Sequence, residues 1–151
     1  MMDDEYCVVD TNLLVYSTVS GNEWFEESRR WLTALQAQKI TLCVTTQILR
    51  EYLVVLTRGN VFETHFTVEQ AVSELEVILP SFVVLEETTE SASKLRELMR
   101  RYQVRGKQIH DANIIATMLT NGITRLVTYN RADFERFKEI SLEVLPTKVS
   151  D

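Results

Sequence analysis

Short runs of valine, isoleucine and leucine alternate along this chain with longer segments whose apolar residues recur every three or four positions. The short runs predict strands at 5–9, 40–44, 124–128 and 142–145, with a further strand in the "FVVLE" run at 82–86. The periodic segments predict helices at 12–19, 23–38, 46–58, 67–79, 88–103 and 109–121, and a short one at 131–138. Gly59-Asn60 and Asn121-Gly122 punctuate the pattern, and Pro80 ends a helix. Apolar strands separated by helices in this way predict an α/β fold with a parallel sheet covered on both faces. No internal repeat or low-complexity linker divides the chain, and residues 1–151 read as one domain.

Polar positions interrupt the pattern at four places. Asp10 stands between the strand-like "CVV" and the helix-like "LLVY". A carboxylate there is a helix cap, or it is held near the core because its charge is needed. Ligands of parallel sheets gather outside the carboxyl ends of the strands, which is where Asp10 falls. Glu51 shares a helical stripe with Ile48, Tyr52 and Val55, where a carboxylate without a partner is costly to bury. An edge position or an Arg partner would relieve that cost. Asp111 shares a side with Ile114 and Ile115 and lies in a first helical turn, where the helix dipole favours an anion. In "RLVTYNRADF" the strand ends at Thr128, and Asn130 with Asp133 three residues on fits a capping-box-like helix start, with Phe134 and Phe137 packing inward.

Composition bounds what these residues serve. Hydrophobic residues make up 45% of 151, enough for a core. The first residues are acidic and lack the features of a signal peptide, and no apolar run reaches the roughly 20 residues that span a bilayer. A cytoplasmic protein without membrane partners is expected. Cys7 and Cys43 lie in apolar runs and read as buried free thiols, and with only His65 and His110 they cannot build a Cys/His zinc site. The net charge of −6 argues against a protein that simply wraps nucleic acid. The charge is uneven, however. Residues 94–107 carry Lys94, Arg96, Arg100, Arg101, Arg105 and Lys107 against one carboxylate, Glu97. That ridge is a solvated helix face, or a nucleic-acid contact beside an acidic site, with Arg100, Arg101, Arg105 and Lys107 as the candidate contacts.

Convergence of the acidic positions changes their meaning. Two carboxylates about 4 Å apart repel by about 4 kcal/mol at an effective dielectric of about 20. Protons or a divalent cation must settle such a cluster. Oxygen donors without a Cys/His set favour Mg²⁺, with Mn²⁺ substituting. Such a cation at the mouth of an α/β sheet suits phosphodiester hydrolysis by a metal-activated water.

"VVDTNLLVY", "TTQILREYLVVLTR" and "RGKQIHDANIIATMLTNGITRLVTYNRADFERF" resemble, in order, the successive motifs of PIN-domain ribonucleases, and most closely the VapC-type toxins of toxin–antitoxin pairs. The resemblance covers almost the whole chain. It implies a PIN-like three-layer α/β/α sandwich with a mainly parallel central sheet, Mg²⁺-dependent endoribonuclease activity on RNA, a homodimer, and inhibition by a cognate antitoxin. The family's metal-binding acids fall on Asp10, Glu51 and Asp111. The fourth acidic position of many members is Asn130 here, a departure that Asp133 nearby is placed to offset, so Asp133 joins the catalytic candidates. Thr11, Asn12, Thr128 and Asn130 are assigned to contacts with the phosphate or with the metal-binding residues. The alternatives are a non-catalytic PIN-like RNA-binding or scaffold protein and a housekeeping RNA-processing nuclease. "HD" at His110-Asp111 lacks the further histidines of an HD phosphohydrolase, and Asn12 stands where a haloacid-dehalogenase-like nucleophile motif needs a second Asp.

Overall fold

The computed structural model describes residues 5–143. Five strands, β1 (Tyr6–Val9), β2 (Thr41–Thr45), β3 (Val83–Leu85), β4 (Arg125–Val127) and β5 (Ser141–Glu143), form one sheet in the order β3-β2-β1-β4-β5. Every neighbouring pair is parallel. β1 is central, and Cys7, Val8 and Val9 are fully buried, whereas Val83 and Val84 on the edge strand β3 are exposed.

The helices are α1 (Thr11–Thr18), α2 (Phe25–Ala37), α3 (Thr46–Thr57), α4 (Val68–Ile78), α5 (Thr89–Tyr102), α6 (Gln108–Thr120) and α7 (Arg131–Phe134). Side-chain caps start several of them. The Thr45 hydroxyl accepts from Ile48 N at 3.1 Å, and Thr67 with Gln70 and Thr88 with Ser91 close capping boxes. The chain steps outward from β1 to β2 and β3, then returns past β1 to β4 and β5. Right-handed crossovers then put α1–α4 on one face and α5–α6 on the other, giving the three-layer α/β/α sandwich.

Two expectations need correction. The short helix predicted at 131–138 ends at Phe134. Phe134 and Phe137 are buried as expected, but Phe137 N donates to Phe134 O at 3.0 Å, a tight turn that steers the chain into β5. The capping box predicted from Asn130 and Asp133 is not made, since Asn130 makes no side-chain capping bond and only its carbonyl accepts from Asp133 N. The last strand starts at Ser141, and residues 144–145 of its predicted span lie outside the described residues. Cys7 and Cys43 are buried free thiols, pushed by burial up to about 12 and about 11 respectively, and so are inert near neutrality.

Candidate functional site

The direction reversal in the strand order lies between β1 and β4, and their carboxyl ends open a crevice there. Asp10 N donates to Val127 O at 3.0 Å, carrying the pairing one residue past β1. β1 stops at Val9, and Asp10 caps α1 by accepting from Thr11 N at 2.8 Å through Oδ1. Its Oδ2 accepts from the Thr128 hydroxyl at 2.7 Å and from Asn12 Nδ2 at 3.4 Å. Asp10 is therefore both a cap and a charge held in the core, with 6% of its surface exposed.

Topology brings the other acids to the same end. α3 leaves the carboxyl end of β2, so Glu51 in its second turn stays near the sheet's mouth. α6 runs back toward β4, which puts its first turn, with Asp111, at that mouth as well. Asn130 and Asp133 follow β4 directly. Asp10, Thr11, Asn12, Glu51, Asp111, Asn130 and Asp133 all line one cleft of about 360 Å³. Thr128 lies behind it, with its hydroxyl on Asp10 and on the Asn130 amide N–H, 2.9 Å away.

Each acid has a different environment. Glu51 is half-buried. Its Oε1 accepts from the Thr11 hydroxyl at 3.0 Å and its Oε2 from Gln47 Nε2 at 2.9 Å. Gln47 is itself fixed, donating to the His110 carbonyl at 2.9 Å and accepting from Asn113 Nδ2 at 2.7 Å. Thus Glu51 pairs with neutral donors rather than with an Arg. Burial pushes the Asp10 carboxyl up to about 6; the bonds from Thr128 and Thr11 oppose this, while the charges of Glu51 and Asp133 add to it. Asp111 is pushed up to about 7, first by burial and then by the charges of Asp133, Asp10 and Glu51, against a weaker pull from Arg136. These mutual influences are the repulsion that a shared acidic cleft entails.

Among the described residues, no three His, Cys, Asp or Glu side chains form a ready-made metal cage. The donor set nevertheless fits a hard cation. It offers carboxylate oxygens and an amide, and it carries negative charge that the neutral partners of Asp10 and Glu51 do not offset.

The basic ridge is not part of this cleft. Arg100 and Arg101 lie in the last turn of α5, and Arg105 and Lys107 follow in the connection to α6, all exposed. Arg101 is engaged by Glu139 and by Glu97. The cleft's own lining cation is Arg58. Sequence reading missed Arg58, Gln47 and Asn113, together with an aromatic wall of Tyr16 and Phe62. Gln47 one helical turn before Glu51 was a usable local signal. The aromatic wall had none, because its members come from distant segments.

The PIN domain family matches residues 7–140. No curated protein matches the sequence. Among solved structures, VapBC2 from Rickettsia felis bound to a promoter DNA fragment aligns with 19% identity and a TM-score of 0.66, covering 91% of this chain and 97% of that one. A DNA-bound VapBC from Salmonella typhimurium aligns with 21% identity and a TM-score of 0.66, over 91% and 96%. VapC20 of Mycobacterium tuberculosis, described as a sarcin-ricin loop cleaving toxin, aligns with 19% identity and a TM-score of 0.66, over 87% and 95%. At this identity the likeness is one of fold.

Proposed function

Because the chain belongs to the PIN domain family, we propose that it is a Mg²⁺-dependent endoribonuclease and the toxin of a toxin–antitoxin pair. The observation that carries this reading is the meeting of Asp10, Glu51, Asp111 and Asp133 in one cleft at the sheet's switch point. Asp10, Glu51 and Asp111 hold the cation, and Asp133 adds negative charge at the rim. A bound Mg²⁺ or Mn²⁺ supplies an acidified water and a counter-charge for the phosphate. The protein's own part is positional. Thr128 and the Thr11 amide aim the Asp10 carboxylate, Thr11 and Gln47 aim Glu51, and Asn12 ties the ends of β1 and β4 together through Tyr129 N at 3.3 Å. Arg58 draws the RNA phosphate into the cleft. The chain acts in the cytoplasm as a homodimer, and an antitoxin silences it by putting an Arg or Lys among the carboxylates. No helix among the described residues is long and apolar enough to cross a membrane.

A second reading, a non-catalytic PIN-like RNA-binding or scaffold protein, is favoured by Asn130 and by the lack of a preformed cage among the described residues. Cleavage of single-stranded RNA separates the two. The nuclease reading expects cleavage with Mg²⁺ or Mn²⁺, none in EDTA, and none by Asp10→Asn. Full activity in EDTA, or no cleavage of any RNA with either metal, overturns it.

A further inference from the structure

The cleft that holds the acids has a second wall of different chemistry. Tyr16 and Phe62 line it, with ring centroids 5.8 Å apart and tilted at 58°. Tyr16 is backed by Trp24, stacked at 4.8 Å, and by Tyr129, edge-on at 5.2 Å. These backing rings are fixed. The Tyr129 hydroxyl donates to Glu27 Oε2 at 2.7 Å, and Asn22 accepts from Trp24 N at 2.8 Å while donating to the Tyr16 carbonyl at 3.0 Å. Phe62 is the outermost ring, 40% exposed. It sits on a four-residue turn closed by reciprocal 2.9 Å backbone bonds between Val61 and Thr64. Both central residues of that turn, Phe62 and Glu63, adopt positive φ, at 49° and 64°. That conformation is costly for residues with a side chain, and it displays a large apolar ring to solvent at the edge of a charged site.

We propose that Phe62 and Tyr16 form a stacking subsite for a nucleobase of single-stranded RNA, next to the phosphate held by the acidic wall. The inference rests on the nuclease reading for the identity of the ligand. Three features select a nucleotide. The aromatic face is continuous with the carboxylates in one cleft, so a ligand bound through its phosphate brings its base to the wall. Arg58 on the same cleft matches the phosphate's charge. A π-face accepts any base, which suits an unstacked single strand rather than a duplex. Phe62 is therefore a positioning residue that fixes the register of the strand.

The test measures affinity and cleavage of the full chain on a short single-stranded RNA and on copies with one abasic nucleotide at successive positions. Phe62→Ala weakens binding of the intact RNA about tenfold, the loss expected for one stacked base, and Phe62→Trp restores it. In the wild-type protein one abasic position, adjacent to the cut, reproduces this loss, and there Phe62→Ala costs nothing further. The loss falls on KM, with kcat retained. Wild-type affinity in Phe62→Leu, or equal losses from Phe62→Ala on intact and abasic RNA, overturns the subsite. Unchanged RNA affinity with a loss confined to a peptide probe carrying Arg and Trp overturns it in favour of a protein ligand. A wild-type chain that binds RNA through Phe62 but does not cut it ends the nuclease reading and leaves the stacking wall standing.

Discussion

The Thr128 hydroxyl donates to Asp10 Oδ2 at 2.7 Å, joining the ends of the two strands that flank the direction reversal of the sheet. The same hydroxyl oxygen accepts from Asn130 N at 2.9 Å. One side chain thus orients the buried carboxylate and fixes the first residues beyond β4. Thr128→Val removes both bonds, and the longer one from Asn12 Nδ2 at 3.4 Å, at nearly constant volume. The expected result is a loss of about 1–2 kcal/mol in chemical denaturation, with activity falling further than stability accounts for. Thr128→Ser restores the hydroxyl and its bonds. An active, fully stable Thr128→Val would show that Asp10 needs no such support.

Charge relief distinguishes Asp111 from Asp10. Both carboxyls have folded-state values above the ordinary carboxylate range, about 7 and about 6. The folded protein then holds more protons than the unfolded chain between about pH 4 and 7. Their contribution to stability is present at low pH and is lost as pH rises through 6 and 7. In EDTA, the melting temperature falls over that window, and Mg²⁺ at pH 8 reverses the fall by binding the folded state. Asp111 makes no side-chain hydrogen bond within the described residues, so Asp111→Asn relieves repulsion cleanly and raises the melting temperature at pH 8 by about 2–4 °C, on the order of 1 kcal/mol. Asp10→Asn gains less, because its amide would meet the Thr128 hydroxyl, which already accepts from Asn130 N and Asn12 Nδ2. Melting curves of both variants at pH 5 and pH 8 check this, and an equal gain at both pH values would contradict it.

Asn130 and Asp133 are now separable. With no capping box between them, Asp133 is exposed on the cleft's rim and its charge acts on both Asp10 and Asp111. Asp133→Asn therefore costs little stability, under about 0.5 kcal/mol for a surface change. It raises the Mg²⁺ concentration needed for half-maximal activity several-fold. Asn130→Asp lowers that concentration, since a fourth acid then lines the cleft. Mn²⁺ titration of each variant, followed by calorimetry, decides between them; unchanged affinity in both would remove position 130 and position 133 from the site.

The ridge at the end of α5 gives a salt-dependence test. Arg100→Ala with Arg105→Ala and Lys107→Ala is expected to weaken RNA binding. Its salt slope should shrink by up to about 0.7 for each phosphate of a single strand that the variant no longer neutralises. Arg101→Ala lowers thermal stability instead, because Glu139 engages it. An unchanged slope in the triple variant would leave the ridge a solvated face.

How much of this was legible in the sequence depends on the range over which each feature is set. β1, α3 and α6 were readable because burial imposes a local period on "CVVD", "TTQILREYLVV" and "IHDANIIATM". Asp10, Glu51 and Asp111 stood out because each breaks that period, Asp10 at a strand end, Asp111 in a first helical turn and Glu51 on an apolar helical stripe. Their meeting follows from topology. α6 antiparallel to the strands brings Asp111 up, and the crossing back past β1 brings β4 beside Asp10. The pairing of Asn130 with Asp133 misled, because local spacing fits a cap while the Thr128 hydroxyl claims the Asn130 amide first. The aromatic wall was invisible for the opposite reason. Tyr16, Phe62 and Tyr129 meet only in the folded chain, and the local pattern around each gives no sign of the other two.

The turn that carries Phe62 makes its own prediction. Glu63→Gly relieves the positive φ of 64° and is expected to stabilise the protein by about 1 kcal/mol, since glycine adopts that conformation freely. Equilibrium denaturation reads the gain directly. A loss of stability would mean that the Glu63 side chain makes interactions stronger than the strain.

The central strand has a consequence for the order of events during synthesis. β1 leaves the ribosome long before β4, and the hydrogen bond that aims its terminal carboxylate comes from a residue 118 positions later. Until β4 has emerged, β1 lacks a neighbour on one side and Asp10 lacks the hydroxyl of Thr128. A chain still being translated, or one broken before β4, therefore carries the acidic motifs without the site. On the nuclease reading proposed above, the chain would in this way be kept inert while it is still attached to the message and ribosome that are making it.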